Sequence, residues 1–500
     1  MNRLASFLAA LYLIFLPWHA LLMTWIAKLL GSSADHLPVL AKYAAVWKEG
    51  VLILLGIGAI YRLLTKQVKW QWTSFDSFFG VYLLFSLFSY FGGQSTPAML
   101  IWGIKYDLLW WILFYIWRCY DISPLWRMRL IKIFLVNTAL LILWGILLYY
   151  VLSPEFLLHL GYSPYVSSYD PGKPLPIYHI VEARATPRLA SALAGPNQYG
   201  FFLMTFIAFL LSIWPEFKKK TQYYLLGLAG MALFSLFLTF SRAAWLGTMF
   251  LTALAIYFYL PIKWRLKAVF SSIILALVMV LSVYWGAPDF WHRTIVRQGS
   301  TSVHYQHMTE ALKTIVKYPF GTGLGTVGPA SLRFAELNEL KVPKSEINNL
   351  RTMGLPQDLD FHLFLPLNAD FEKFKPHNTN ELMAIPAMLE ISGDLKKEVI
   401  DLWYRHYHER IAENWFIQIF QEIGIFGGFC YLLFWFFVLK YYCSGFNSNW
   451  SARFALLSMS GGILAAMFLH SFEDASIMFS WMTILGLSFK SCNLHPSKSA

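Results

Sequence analysis

Charge is scarce in this chain: of 500 residues only 14% are Asp, Glu, Lys or Arg, and the acidic residues number 28 against 40 basic ones. So little charge cannot cover a set of soluble domains with a solvated surface, which excludes an ordinary water-soluble protein. Cysteine is nearly absent, with four residues, and none falls in a segment expected outside, so no disulfide-built scaffold is expected. Metal motifs are missing as well. There is no HExxH and no paired CxxC, and the densest histidine stretch, "WYRHYHER", sets His406 and His408 two apart, on different helix faces. No metal site and no cofactor is expected. "GTGLGTVG" (321–328) has the look of a nucleotide loop but follows a helix on the outer side; it reads as a turn with close backbone packing.

What the chain has is apolar surface: 57% hydrophobic and 18% aromatic residues, with a mean hydropathy of +0.50. The expected fold class is all-α, a polytopic membrane helix bundle with about twelve transmembrane helices of ordinary spanning length. The spans lie near 5–30, 48–64, 75–91, 98–117, 131–152, 197–214, 223–240, 243–260, 268–287, 414–441, 454–470 and 474–490. The first run, "ASFLAALYLIFLPWHALLMTWIAKLL", has no small-residue cleavage site and reads as a retained span.

Net charge is +12, but the basic residues fall in alternate short loops, among them "YRLLTKQVKW", "WRCYDISPLWRMRLIK", "WPEFKKKTQ" and "LKYYCSGFNSNWSAR". Placing these in the cytoplasm leaves both termini inside and explains the surplus without a nucleic-acid partner. Four regions follow: N-terminal helices (1–152), central helices with an external loop and Arg motifs (153–287), a large external helical segment between spans 9 and 10 (288–413), and C-terminal helices (414–500). Within the external segment, "TSVHYQHMTEALKTIVKYPFGTGLGTVG" reads as a helix ended by Pro319, with His304, Met308, Ala311 and Ile315 on one face. "SGDLKKEVIDLWYRHYHERIAENW" reads as another.

Function should show where polar groups persist against the cost of burial in hydrocarbon. Arg242, in "FLTFSRAAWLGTMF", sits between two spans on the side that should be poor in Arg. Snorkelling to headgroups is the plainer alternative; the functional reading is a guanidinium fork for a phosphate. Arg184 and Arg188, in "VEARATPRLASALAGPNQYGFF", add positive charge at the same depth, and Arg293, Arg297 and His304 open the long external segment. Such cations at one membrane face, beside an apolar lateral surface, suit a lipid-linked diphosphate. Lys105 and Asp107 are expected to pair with neighbouring helices, while Lys48, Glu49 and "HSFEDAS" either join the site or cap helices. In "AENWFIQIFQEIGIFGG" (412–428), Asn414, Gln418 and Gln421 fall on one helical face with Glu422 at its flank.

Over roughly residues 180–435 the sequence resembles the O-antigen ligase and O-antigen polymerase superfamily of integral membrane GT-C-type glycosyltransferases. The resemblance rests on four motifs in order: Arg188 followed by Pro196-Asn197, "TFSRAAWLG", a helix ending "KYPFGTGLGT", and "ENWFIQIFQEIGIFGG". It implies a glycan donor on a polyprenyl diphosphate, usually undecaprenyl, and transfer to a sugar hydroxyl with inversion, without nucleotide or metal. It also implies a bacterial cytoplasmic membrane with the site on its external, periplasmic face. On these positions Glu413 is the catalytic base, Arg188, Arg242, Arg297 and His304 bind the donor diphosphate, and Asn197, Asn414, Gln418 and Gln421 line the acceptor side. The chain departs from the family at two points: Glu413-Asn414 stands where ligases commonly carry His-Asn, and His304 where the family has Arg. "PHN" at 376–378 begins no span, so His377 is set aside. The Glu form favours a polymerase joining repeat units of surface polysaccharide. A ligase delivering finished glycan to a lipid core or protein, and a transporter or flippase of the same lipid-linked sugars, are the alternatives. Expected partners are the lipid-linked oligosaccharide, a glycan acceptor, the bilayer and, as a candidate, a chain-length regulator.

Overall fold

A computed structural model describes residues 2–32, 39–93, 95–166, 174–178, 180–181, 186–286, 298–328, 330–331, 344–354, 359–360, 365–366, 395, 414–469, 472 and 474–492. A helix lies over each of the twelve apolar segments, because an apolar run in lipid must satisfy its backbone internally. Among the described residues, however, six helices are long and apolar enough to cross a membrane by themselves: Ser74–Gly92, Pro97–Arg118, Pro124–Leu152, Pro196–Glu216, Lys219–Leu238 and Trp415–Ser444. The count reaches seven if Asn2–Phe15 and His19–Leu29, bent by 78°, form one broken span. Pro17 lies at that bend, where it can donate no backbone hydrogen bond. The chain is a multi-pass membrane protein, and among the described residues length and composition support six or seven of the twelve expected crossings. Trp47–Leu64 carries Lys48, Glu49 and Arg62, and Trp450–Ala466 is only 17 residues long.

Helix Pro196–Ile213 is the most enclosed of the six, with 78% of its span window buried. Helices Lys219–Leu238, Arg242–Tyr259 and Trp450–Ala466 pack around it. A second group joins Ser74–Gly92 to Trp415–Ser444, Leu109–Arg118 to Ala475–Cys492, and Asn2–Phe15 to Pro124–Leu147. An aromatic core built on Trp110, Trp111, Trp415, Trp435 and Phe472 fills the space between these helices.

Two arginines of the basic segments turn inward. Arg118 turns inward to Asp76, with Nη2 3.1 Å from Oδ2, and also donates to the Gln71 carbonyl at 2.9 Å. Its guanidinium lies 4.2 Å from the centre of the Phe489 ring and 4.5 Å from that of Trp70. Arg453 pairs with Glu216 and donates to the Ser212 carbonyl at 3.0 Å. Charges at such depth must be paired and hydrogen-bonded, so these arginines are struts between helices.

Outside the long helices, the described residues of 154–187 form a small cover. It has a 3-10 helix, Pro154–Leu160, then a parallel pair, Ser163–Val166 with Pro176–Tyr178, and an antiparallel pair, Ile180–Val181 with Thr186–Pro187. Lys28 ties the cover to the first broken span by donating to the His159 carbonyl at 2.7 Å. In the segment 288–413 the described helices are Gln298–Lys317 and Lys344–Thr352. The first packs on Trp415–Ser444 through Ala311, which meets Val327 and Ile417. Ile315 is buried on the same face, whereas Met308 is exposed. The second helix expected there, around 392–413, lies outside the described residues.

Candidate functional site

Two helices begin at one turn. Gly200, in the first turn of Pro196–Ile213, has no side chain to keep the residues before Arg242–Tyr259 away. A Cβ there would sit 3.0 Å from those of Ser241 and Ala244. Leu238 ends the preceding helix, and Phe240 reverses the chain with a positive φ of 50°. Phenylalanine rarely adopts that conformation, so the surroundings must hold it. They do so partly through Trp245, which stacks on Phe237 at 5.6 Å and donates to the Leu236 carbonyl at 2.9 Å.

Arg188 enters this turn directly from the strand Thr186–Pro187. Its Nε donates to the Thr239 carbonyl at 2.8 Å, and its Nη2 donates to Asn197 Oδ1 at 2.7 Å. The next residue, Leu189, donates its backbone N–H to the Leu238 carbonyl at 3.0 Å. Arg188 and Asn197 therefore touch, and Arg242 stands three residues beyond the Thr239 that Arg188 grips. Both Arg188 and Arg242 are half-buried. Each helix start adds the positive end of a dipole. A small cavity of about 40 Å³ opens beside Arg188, under the cover, lined by Tyr149, Tyr162, Ile177, Leu189 and Leu193 among others. Burial pushes the Tyr162 phenol above its ordinary range, so the wall it forms stays uncharged.

The polar helix start at 414 is built differently. Asn414 caps helix Trp415–Ser444, accepting from the backbone N–H groups of Phe416 and Ile417 at 2.9 and 3.1 Å. Its own Nδ2 donates to the Met467 carbonyl at 2.8 Å, tying two helix ends together. Gln418 and Gln421 are buried beneath the glycine loop 319–328. The Gln421 carbonyl accepts from Thr322 N–H at 2.8 Å, and a Cβ on Gly328 would come within 2.5 Å of the Gln418 amide. Glu422 Oε1 accepts from the N–H groups of Gly325 and Val327 at 3.0 and 3.2 Å. Helix Trp415–Ser444 breaks at Gly424 (φ 77°, ψ 178°), and Ile425 N–H bonds the Pro319 carbonyl at 2.8 Å. Glu422, at the flank of the polar stripe, thus receives a loop that enters the bundle beside it.

Residues 225–348 match a family described as O-Antigen ligase. Over that stretch the chain is similar to O-antigen ligases. The match supports the O-antigen ligase and polymerase superfamily and a place in polysaccharide biosynthesis. No curated protein matches the chain. The O-antigen ligase stretch contains Arg242, the helix with His304 and the glycine loop, whereas Arg188, Asn197 and the helix start at 414 lie outside it.

Of the residues singled out from the sequence, the structure joins Arg188 to Asn197 and sets Arg242 in the same turn. His304 lies in helix Gln298–Lys317. Glu413, Arg184, Arg293, Arg297, His377, His406 and His408 fall outside the described residues. Lys105 and Glu49 pair at 3.0 Å across two helices, and Asp474 caps the helix after it, accepting from Ser476 N–H at 2.8 Å. Sequence reasoning missed the role of Thr239 as the anchor of Arg188, since a backbone carbonyl has no sequence signature. It also missed the bonds that Glu422 accepts from the glycine loop, since their donors are backbone N–H groups.

Proposed function

We propose that this chain is a membrane glycosyltransferase that moves a glycan from a polyprenyl diphosphate, undecaprenyl in bacteria, to a sugar hydroxyl at the outer face of the cytoplasmic membrane. Its foremost use in this reading is the joining of surface-polysaccharide repeat units. One observation carries the proposal: Arg188, held by Thr239 and Asn197, lies at a turn where two helices begin and where Arg242 follows. Attack by the acceptor oxygen at the anomeric carbon expels a diphosphate, and guanidiniums beside helix N-termini stabilise the charge that develops on it. Arg297 and His304 complete the set of donor-diphosphate ligands in this reading. Glu413, next to the Asn414 cap, takes the proton from the acceptor hydroxyl. Asn414, Gln418 and Gln421 hold that helix start in place. The O-antigen ligase match over 225–348 supports this class of reaction. A ligase that delivers finished glycan uses the same chemistry with a different acceptor.

Deleting the gene separates the two acceptors: surviving single repeat units mark a polymerase, and free polymer that never reaches its anchor marks a ligase. Glu413→Gln and Arg242→Ala should each reduce glycan transfer by about a hundredfold or more, at unchanged protein level in the membrane, the scale expected for losing a base or an anion-stabilising group. Near-normal polymer from Glu413→Gln would leave Glu413 without the role of base.

A further inference from the structure

We infer that helix Gln298–Lys317 lies on the bilayer, with Tyr305, Met308, Leu312, Val316 and the following Phe320 resting on phospholipid acyl chains of one leaflet, the outer one in the reading above. The inference concerns the place of this helix and draws on that reading only for the name of the leaflet. The helix has three faces. Ala311 and Ile315 are buried, and Ala311 meets Val327 and Ile417. About a quarter-turn around the helix, Tyr305, Met308, Leu312 and Val316 form one apolar stripe. All four are exposed, Val316 at 79%. Beyond the stripe lies a polar face with Lys317 and with Lys313, which pairs with Glu310 at 2.5 Å.

Two observations set this stripe at the edge of the hydrocarbon. The first is depth. Helix Ser74–Gly92 has 19 residues, and its length of about 28 Å is close to the thickness of a hydrocarbon core, about 30 Å. At its end, a Cβ on Gly93 would fall 2.4 Å from the Thr322 carbonyl oxygen. Ser95 Oγ donates to the Leu324 carbonyl at 2.9 Å, and a Cβ on Gly103 would fall 2.6 Å from Gly325 N. The glycine loop 319–328 is therefore seated in a cleft level with the end of a span, and Phe320 comes two residues before Thr322. The second is continuity. Phe320, 61% exposed, stacks on Phe426 at 6.3 Å. Phe426 begins an exposed row, with Phe429, Leu433 and Phe436, down one face of span Trp415–Ser444. In a membrane that face meets acyl chains. The stripe thus extends a lipid-covered surface, whereas in water it would be a contiguous apolar patch. Lysines beside such a stripe suit a helix in the headgroup layer, where their ammonium groups reach lipid phosphates.

The test places the full chain in vesicles of phosphatidylcholine and phosphatidylglycerol. A charged, water-soluble maleimide is reacted with Val316→Cys and with Lys313→Cys, the parent chain serving as blank. Both positions are exposed on the protein surface, so a helix in water would label alike at the two. With the stripe in lipid, Val316→Cys should react about tenfold more slowly than Lys313→Cys, or slower still. Equal rates overturn the proposal. A photoreactive benzophenone side chain in place of Phe320 then identifies what covers the stripe. Adducts with phospholipid support the proposal; adducts with a second copy or with another segment of this chain overturn it. If Val316→Cys is lost from the membrane, the benzophenone result decides alone. None of these readouts depends on glycan transfer, so a chain that forms phospholipid adducts but transfers no glycan would sink the proposed function and leave this inference standing.

Discussion

Arg188→Lys should stop glycan transfer almost as completely as Arg188→Ala, lowering product by about a hundredfold or more at normal membrane levels. Keeping the charge is not enough. The guanidinium makes two contacts at once in fixed directions, to the Thr239 carbonyl and to Asn197 Oδ1. An ammonium on a flexible stem is a point charge and cannot reproduce that orientation. Asn197→Ala removes one of the two holds and should cost less, about tenfold, as a single hydrogen bond to a charged group does. The check is polysaccharide length on a gel beside quantified membrane protein. Full-length product from Arg188→Lys would mean that position 188 supplies charge alone.

Gly325→Val should remove the folded protein rather than its chemistry. Gly325 has φ +79°, and a Cβ there would overlap the Met99 carbonyl oxygen, a backbone atom that cannot swing aside. The loop could not enter its cleft, and Glu422 would lose its N–H partners; the combined cost should reach about 3–5 kcal/mol. Gly227→Val is the control, since Gly227 is exposed and a Cβ there meets nothing within 4 Å. Membrane abundance and thermal aggregation in detergent should separate the two variants sharply. Equal behaviour would show that the loop docks loosely.

The helices were legible in the sequence because hydropathy is summed over many residues and survives local exceptions. The number of crossings was less legible. Lys48, Glu49 and Arg62 interrupt one helix, and Pro17 breaks another into two pieces meeting at 78°. Arg188, Asn197 and Arg242 could be read as polar groups held at the membrane face, and the first two are in contact. What joins them could not be read, because the anchor is the carbonyl of Thr239 and the turn depends on a strained Phe240. The polar residues after 414 carried a different meaning from the one their periodicity suggested. A polar stripe on a membrane helix reads the same whether it faces a sugar or a backbone. The docking of a loop from about a hundred residues earlier, through Gly325 and Val327, decides for Glu422. Close glycine packing was visible in "GTGLGTVG" itself, but its receptor was not.

The most direct measurement places the purified chain in lipid vesicles with a polyprenyl-diphosphate-linked oligosaccharide and follows both products. The account predicts one new glycosidic bond for every polyprenyl diphosphate released, with both abolished in Arg188→Ala. Donor that crosses the bilayer intact, with no diphosphate released and no glycan lengthened, would contradict it and make the chain a transporter.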